Sequence, residues 1–510
     1  MKQLILCSVL VLFLTGLGNG SIPKSASPEL ASQQQQYPLK EEYFNSVFMH
    51  TPPDEWNITL GTYGYCSSVC QTNDNGYIVT GFSSGDIFLV KLTSFGELLW
   101  EKRFGGKGTD RGMCVQPTSD DGYILTGFTQ SFGAGEDDVW LIKTDYEGKE
   151  EWNATFGGRK LDYGWCCEQT LDGGYIVLGS TKSFVEEKND YWLLKTDPLG
   201  REEWNYTYGG IGWDLGKAVQ QTRDGGYIVT GLTDVSPDGS HQVDVGLIKI
   251  DSEGHQLWHK TYGDSIMQDG GLSVRQTAEG GYIIVGSTGT YPDSSVGGDI
   301  WLIKTDADGD VEWDTVFGGF QSEVGHSVWE TNDGGYIVLG ETDSFGSGKT
   351  DLVVLKTDSQ GNEVWHLLFG GSRDDTVWGQ GCRSIQQTSD GGYIAVGSTE
   401  SQGGSLGPKP WIIKLSEPML HIDVTGGFCL SAVIRNLHTT DRVDLVWTIE
   451  IDGGIVVRPH VEGMIDLVPA GDTQVIKARL FGFGKVVIRV TADGVGTIVH
   501  GFLIGPLIII

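Results

Sequence analysis

The sequence predicts an all-β chain: a seven-bladed β-propeller of four antiparallel strands per blade, closed by its N-terminal strand, with a β-sandwich after it. Three observations predict this. A Tyr in the pattern Thr-x-Asp-Gly-Gly-Tyr-Ile recurs at 77, 123, 175, 227, 282, 336 and 393, in steps of 46 to 57 residues. A Trp recurs at the same period, at 56, 100, 152, 204, 258, 313 and 365. An apolar run ending in Lys keeps step with both, as in Val139–Lys143, Tyr191–Lys195 and Ile300–Lys304. Self-similarity at such a period is the signature of a repeat architecture.

Each repeat supplies four strands. Strand A resembles Ser-Val-x-Gln-Thr, B starts at the Tyr, C ends at the Lys and D holds the Trp. Asp-Gly-Gly between A and B is a tight hairpin signal. Thr-Asp-x-x-Gly between C and D is another, because Asp bonds its own backbone and Gly supplies positive φ. Neither connection has room for a helix, so each unit is an antiparallel meander. One such sheet cannot bury both faces, but a ring of them can. The first strand, from Trp56, is a D strand, and the last, Trp411 to Leu415, is a C strand. The seventh blade therefore borrows its D strand from the N-terminus.

Around this core, residues 1–20 read as a signal peptide: Lys2, an apolar run from Leu4 to Leu14, then small residues. Residues 21–53 are a polar, Gln-rich linker, 54–416 the propeller and 417–510 a sandwich of immunoglobulin-like kind. No later stretch reaches the ~20 apolar residues of a spanning helix. Gly at 76 of 510 residues suits a fold rich in tight turns. The formal charge of -32 argues against nucleic acid and anionic membranes as partners.

Lys304 to Gly319, Lys-Thr-Asp-x-x-Gly-x-x-x-Trp-x-x-x-Phe-Gly-Gly, resembles the tryptophan-docking repeat of quinoprotein propellers. The run from 54 to 416 is similar to uncharacterised secreted repeat proteins of archaea and bacteria related to that superfamily. Its C-terminal stretch resembles the small immunoglobulin-like domains appended to them. The resemblance implies the fold and leaves the function open, since propellers host unrelated activities.

Candidate sites follow from the repeat. The B–C and D–A connections share one face, and the long, variable B–C loops mark it as the place for a site. Thirteen residues before the Tyr stand Asp110, Asp162, Asp214, Asp269 and Glu323. An arc of these carboxylates at the channel mouth would attract Ca²⁺; the competing reading is that each caps its own turn. Three residues further on, Trp165, Lys217, His326 and Arg383 differ from blade to blade and would shape a ligand pocket in the channel. Cys66 and Cys382 occupy equivalent places in blades 1 and 7, where a disulfide would staple the closure. Small buried thiols are the alternative. The adjacent pair Cys166-Cys167 sits within a strand and points to opposite faces, against a redox role. Asn57, Asn153 and Asn205 form Asn-x-Thr sequons on the outer edge, where glycans could attach.

No nucleophile elbow, zincin motif or phosphate loop is present. The sequence thus favours a secreted or cell-surface, non-enzymatic binding propeller that recognises an extracellular protein or glycan on its variable-loop face. The alternatives are a quinone-dependent or other propeller enzyme and a structural surface-layer component. Seven blades, where quinoprotein dehydrogenases usually have eight, weigh against pyrroloquinoline quinone.

Overall fold

The computed structural model describes residues 54–61, 63–185, 188–210, 212–236, 242–263, 268–290, 298–346, 348–378, 383–402 and 407–416. Toward the C-terminus it describes 420–425, 430–436, 442–452, 455–456, 460–469, 472–478, 482–492, 495–505 and 507–509. The expectations for residues 1–53 and for Cys382 fall outside the described residues.

The repeat folds as seven antiparallel sheets, with no helix among the described residues. Blade 3 is representative: A is Asp162–Gln169, B Tyr175–Thr181, C Asp190–Thr196 and D Glu202–Tyr208, hydrogen-bonded in that order. Strands B and C are buried along nearly their whole length, whereas D holds exposed and half-buried residues up to the buried Tyr208, as an outer strand should.

Closure occurs as the register of the repeat demands. Asp54–Thr59 pairs antiparallel with Lys409–Leu415, Trp56 opposite Lys414 and Thr59 opposite Trp411. Strand A of blade 7 differs from the others. It is broken into Asp375–Thr376 and Ile385–Gln387, because the last repeat step, from Tyr336 to Tyr393, is the longest and its extra residues interrupt the strand.

The two repeated aromatics explain how blades join. Each D-strand Trp meets the repeat Tyr of the next blade edge to face: Trp100 with Tyr123 at 5.9 Å, Trp152 with Tyr175 at 5.6 Å, Trp365 with Tyr393 at 5.8 Å. Trp56 completes the ring on Tyr77 at 5.7 Å. Such pairs contribute about 0.5–1.5 kcal/mol beyond their buried area. The indole also fills space that a side chain would need. A Cβ on Gly148, which turns at φ 73°, would stand 2.6 Å from Trp100, so this C–D turn requires Gly for both its φ and its space.

The C-terminal strands form two sheets. One holds Leu420–Thr425, Leu430–Asn436 and Thr473–Ala478; the other is built on Arg442–Asp452 and Gly482–Ala492. Ala432 and Ile434 of the first share one buried cluster with Ile449, Ile488 and Val490 of the second.

Candidate functional site

The A–B ladder of each complete blade slips at one shared place; that of blade 5 slips a second time, between Gln268 and Gly270. The residues skipped at the shared place are Ser67, Met113, Trp165, Lys217, Leu272 and His326. In blade 7 the equivalent residue is Arg383, at φ 43° between the two halves of strand A. A β-bulge leaves its extra residue out of the ladder and re-aims its side chain. The position that varies most between repeats is thus the one the backbone releases from pairing. In blades 2 to 6 the Gly before the bulge lets strand A lie against strand B of the preceding blade: a Cβ on Gly164 would stand 2.7 Å from Thr126 Oγ1 and 2.8 Å from Gly127 O.

Of the four residues singled out at this position, two line a common cavity of about 700 Å³, Trp165 and His326. The Lys217 ammonium lies 4.2 Å from the Trp165 ring centre, behind the cavity wall, and burial pushes its pKa down to about 8. Arg383 is not among the cavity residues. It pairs with Glu168 at 3.2 Å and, with Arg275, lies over Trp329.

The rest of the wall comes from residues that the sequence did not single out. Arg111 and Tyr163 precede the bulges of blades 2 and 3, Phe128 and Glu341 sit on B strands, and Thr376, Val377 and Trp378 come from the broken strand. Phe128 stands opposite Arg111 in the ladder. The Arg111 guanidinium lies 4.9 Å from the Phe82 ring, 5.1 Å from Trp378 and 5.7 Å from Phe128. Phe128 packs on Tyr163 at 4.9 Å, and Tyr163 on Trp165 at 5.8 Å. Arg111 thereby clasps two groups of rings into one belt. The signal was present in the sequence: twelve before and five after the repeat Tyr, residue types change from blade to blade as they do at the bulge.

Polar groups in this wall are of two kinds. Glu341 accepts from the Val377 amide and lies 3.4 Å from His326 Nε2. Tyr163 is bonded to Asp137; burial, then that acid's charge, pushes its pKa up to about 12. By contrast, Trp165 Nε1, Arg111 Nε and both ring nitrogens of His326 are buried without a hydrogen-bond partner, and His326 is only 4% exposed. Buried polar atoms in folded proteins are almost always satisfied, so several orphans around one cavity mark a place where a ligand would supply the partners.

The proposed carboxylate arc is not what the structure shows. Asp110, Asp162, Asp214, Asp269 and Glu323 are all buried, each bound to its own blade corner. Asp162 accepts from the Gly158 amide at 2.8 Å and from the hydroxyls of Ser183 and Thr181. Glu323 accepts from Gly319, Thr342 and Ser344. Asp214 and Asp269 accept from the Gly210 and Gly289 amides. In blade 7, Asp375 fills the role through Gly371 and Ser401. Their lone pairs are committed to the turns, so they do not form a Ca²⁺ site on the channel. Among the described residues, the one grouping with cation-ligand spacing is Asp251, Glu253 and His255, on a C–D turn of the opposite face.

A second carboxylate faces each of these across the D–A turn. A Cβ on Gly263 would stand 2.6 Å from Asp244 Oδ1 and 2.7 Å from Asp269 Oδ2. Burial and the facing acid raise the pKa of two of these second carboxylates, to about 6 at Asp190 opposite Asp214 and about 7 at Asp299 opposite Glu323.

The expected Cys66–Cys382 staple is not formed by Cys66. Cys66 is a free thiol, fully buried in the cluster that joins blades 1 and 7, where it bonds to the Trp411 backbone. Cys166 and Cys167 are also free and buried, and Cys114 is disulfide-bonded. The sequon residues recur for a reason internal to the blade. Asn57, Asn153 and Asn205 accept the indole N–H of Trp411, Trp140 and Trp192, and Asp314 does the same for Trp301.

No protein-family model matches the chain, and no curated protein matches it. Several solved structures align with it. The Neurospora crassa Pan2 WD40 domain aligns at 10% identity over 72% of this chain and 100% of that one, TM-score 0.45. Sqt1 from Chaetomium thermophilum aligns at 11% identity over 89% and 100%, TM-score 0.41. A Bacteroides caccae protein of unknown function aligns at 12% over 60% and 93%, TM-score 0.37.

Proposed function

We propose that this chain is an extracellular binding protein, secreted or held at the cell surface, that takes a ligand into the cavity on its variable-loop face. The observation that carries this reading is the set of buried, unpartnered polar atoms of Trp165, His326 and Arg111 around one aromatic-walled cavity. Concave sites of this size with aromatic walls and few polar groups are the usual form of small-ligand pockets. A catalytic reading finds no support there. The acids of the wall accept from Tyr163 and from the Val377 amide, and among the described residues the lining holds no Ser, Cys or Lys. The Asn-x-Thr sites would carry glycans on the outer strands, away from this pocket.

The test is a thermal-shift screen of the mature chain against a glycan panel, Ca²⁺ and pyrroloquinoline quinone, since a ligand that binds only the folded state raises its melting temperature. The reading expects a shift that Trp165→Ala abolishes. A shift that survives Trp165→Ala contradicts it, because the ligand would then sit elsewhere.

A further inference from the structure

The reading above says that the cavity binds something; the chemistry of its wall says of what kind. We propose that the ligand is a saccharide bearing a carboxylate, a uronic acid unit, whose ring stacks on the aromatic belt and whose acid group pairs with Arg111. This inference rests on the cavity being the binding site.

Four features converge on it. First, Arg111 makes no ion pair among the described residues, although three rings pack within 6 Å of its guanidinium and limit its hydration. Arginine is suited to such a place because its planar fork stacks on rings and still grips a carboxylate. Second, the acids nearby are occupied. Glu341 accepts from the Val377 amide, and one oxygen of Asp137 accepts from the Tyr163 hydroxyl. Neither acid pairs with Arg111, the one Arg or Lys among the lining residues, so its guanidinium is left for a ligand's acid. Third, Trp165 Nε1, Arg111 Nε and the His326 nitrogens lack partners, while Asp137 Oδ1 is an orphan acceptor. Donors and an acceptor spread over one wall suit the hydroxyls of a sugar better than a simple acid. Fourth, Trp378 closes the belt while remaining 36% exposed, and Tyr163, also in the lining, is half-buried. These are open faces for the C–H side of a pyranose.

The overall charge of -32 does not veto an anionic ligand. At physiological ionic strength, charges more than about 8 Å away are largely screened. A partly buried guanidinium at contact distance is not.

The experiment is calorimetric titration of the full mature chain with glucuronic-acid disaccharides and with their neutral glucose counterparts, at pH 7. The acidic sugar is expected to bind about tenfold or more tightly, the worth of one charge-assisted pair. Arg111→Gln should remove that preference and leave neutral binding within about twofold; Arg111→Lys should restore part of it, which separates lost charge from lost folding. Equal affinity for the two sugars, or a preference that survives Arg111→Gln, overturns the acid assignment and leaves the cavity reading intact. If neither sugar binds but another panel member gives a Trp165-dependent shift, the saccharide assignment is wrong and the cavity reading stands. If no panel member gives such a shift, both fall.

Discussion

The two faces of the propeller are built from the same repeat and treat their polar groups in opposite ways. On the face of the A–B and C–D turns, every blade sets a buried Lys at the end of strand C. Lys143 Nζ donates to Thr144 O at 2.9 Å and pairs with Asp120 at 2.9 Å and Glu151 at 3.0 Å; Lys195 repeats this with Thr196, Asp172 and Glu203. The turn Asp accepts in addition from its own Thr and Gly, as Asp172 does from Thr170 and Gly174. Burial works against ionisation there, yet bonds from Lys91, Thr72 and Gly76 hold Asp74 down at about 2. Only blade 5 departs, with Glu279 in the turn and Lys304 on Glu312 at 2.7 Å. On the opposite face the corners are equally regular, but the bulge residues and the positions before them vary, and polar atoms are left orphaned. The first face closes a Lys–carboxylate network in each blade and leaves the hydroxyls of Thr196, Thr277 and Thr357 as its orphans among the described residues, whereas the other keeps unmade bonds around a cavity. Regularity of composition and completeness of bonding go together, and the site lies where both fail.

Five interventions would break or sharpen this contrast. The largest effect should come from deleting residues 54–59, which removes the pairing with Lys409–Leu415 and the Trp56–Tyr77 contact. Cooperative melting should be lost; an unchanged melting profile would contradict closure by this strand. Next, Trp365→Ala empties a fully buried site between blades 6 and 7 and should destabilise by about 3–5 kcal/mol in chemical denaturation. A matched pair then compares the faces directly. Lys195→Met removes a bonded ammonium and should destabilise by about 1–3 kcal/mol, its acid partners being hydrated in return. His326→Leu removes orphaned nitrogens and should be neutral or stabilising, while ligand binding falls. If both variants lose the same stability, the contrast is wrong.

The smallest effect is in pH, and the faces should differ in sign. Asp74, held near 2 against an ordinary value of 3.8, stabilises the fold above about pH 4, and that contribution is lost as pH falls toward 2. Asp190 and Asp299, raised to about 6 and 7, do the reverse. The folded state holds their protons longer, so stability falls as pH rises from about 4 through 7. Asp299→Asn should flatten that decline and melt higher than the parent at pH 8. An unaltered slope would remove Asp299 from the account.

The architecture was legible because repetition multiplies weak signals. One repeat Tyr or one Trp says little; seven of each in register fix the strands, the ring and its closure. The site was legible in part, at the bulge position, where Trp165 and His326 differ from their counterparts. It was misread where a functional residue type recurred too faithfully. Asp110, Asp162 and Asp214 repeat because each blade needs a turn cap. Arg111, Tyr163, Glu341 and Trp378 were missed because their meeting depends on the curvature of the ring, which brings blades 2, 3, 6 and 7 to one cavity. Sequence spacing within one blade does not encode that.

Hydrogen exchange of the mature chain, with and without the ligand that shifts its melting most, tests the central claim most directly. Exchange reports opening segment by segment. The account predicts ligand protection in the segments around Arg111, Tyr163–Trp165, His326 and Thr376–Trp378, with the A–B and C–D turns unchanged. Protection confined to those turns, with the mouth unaffected, would contradict it.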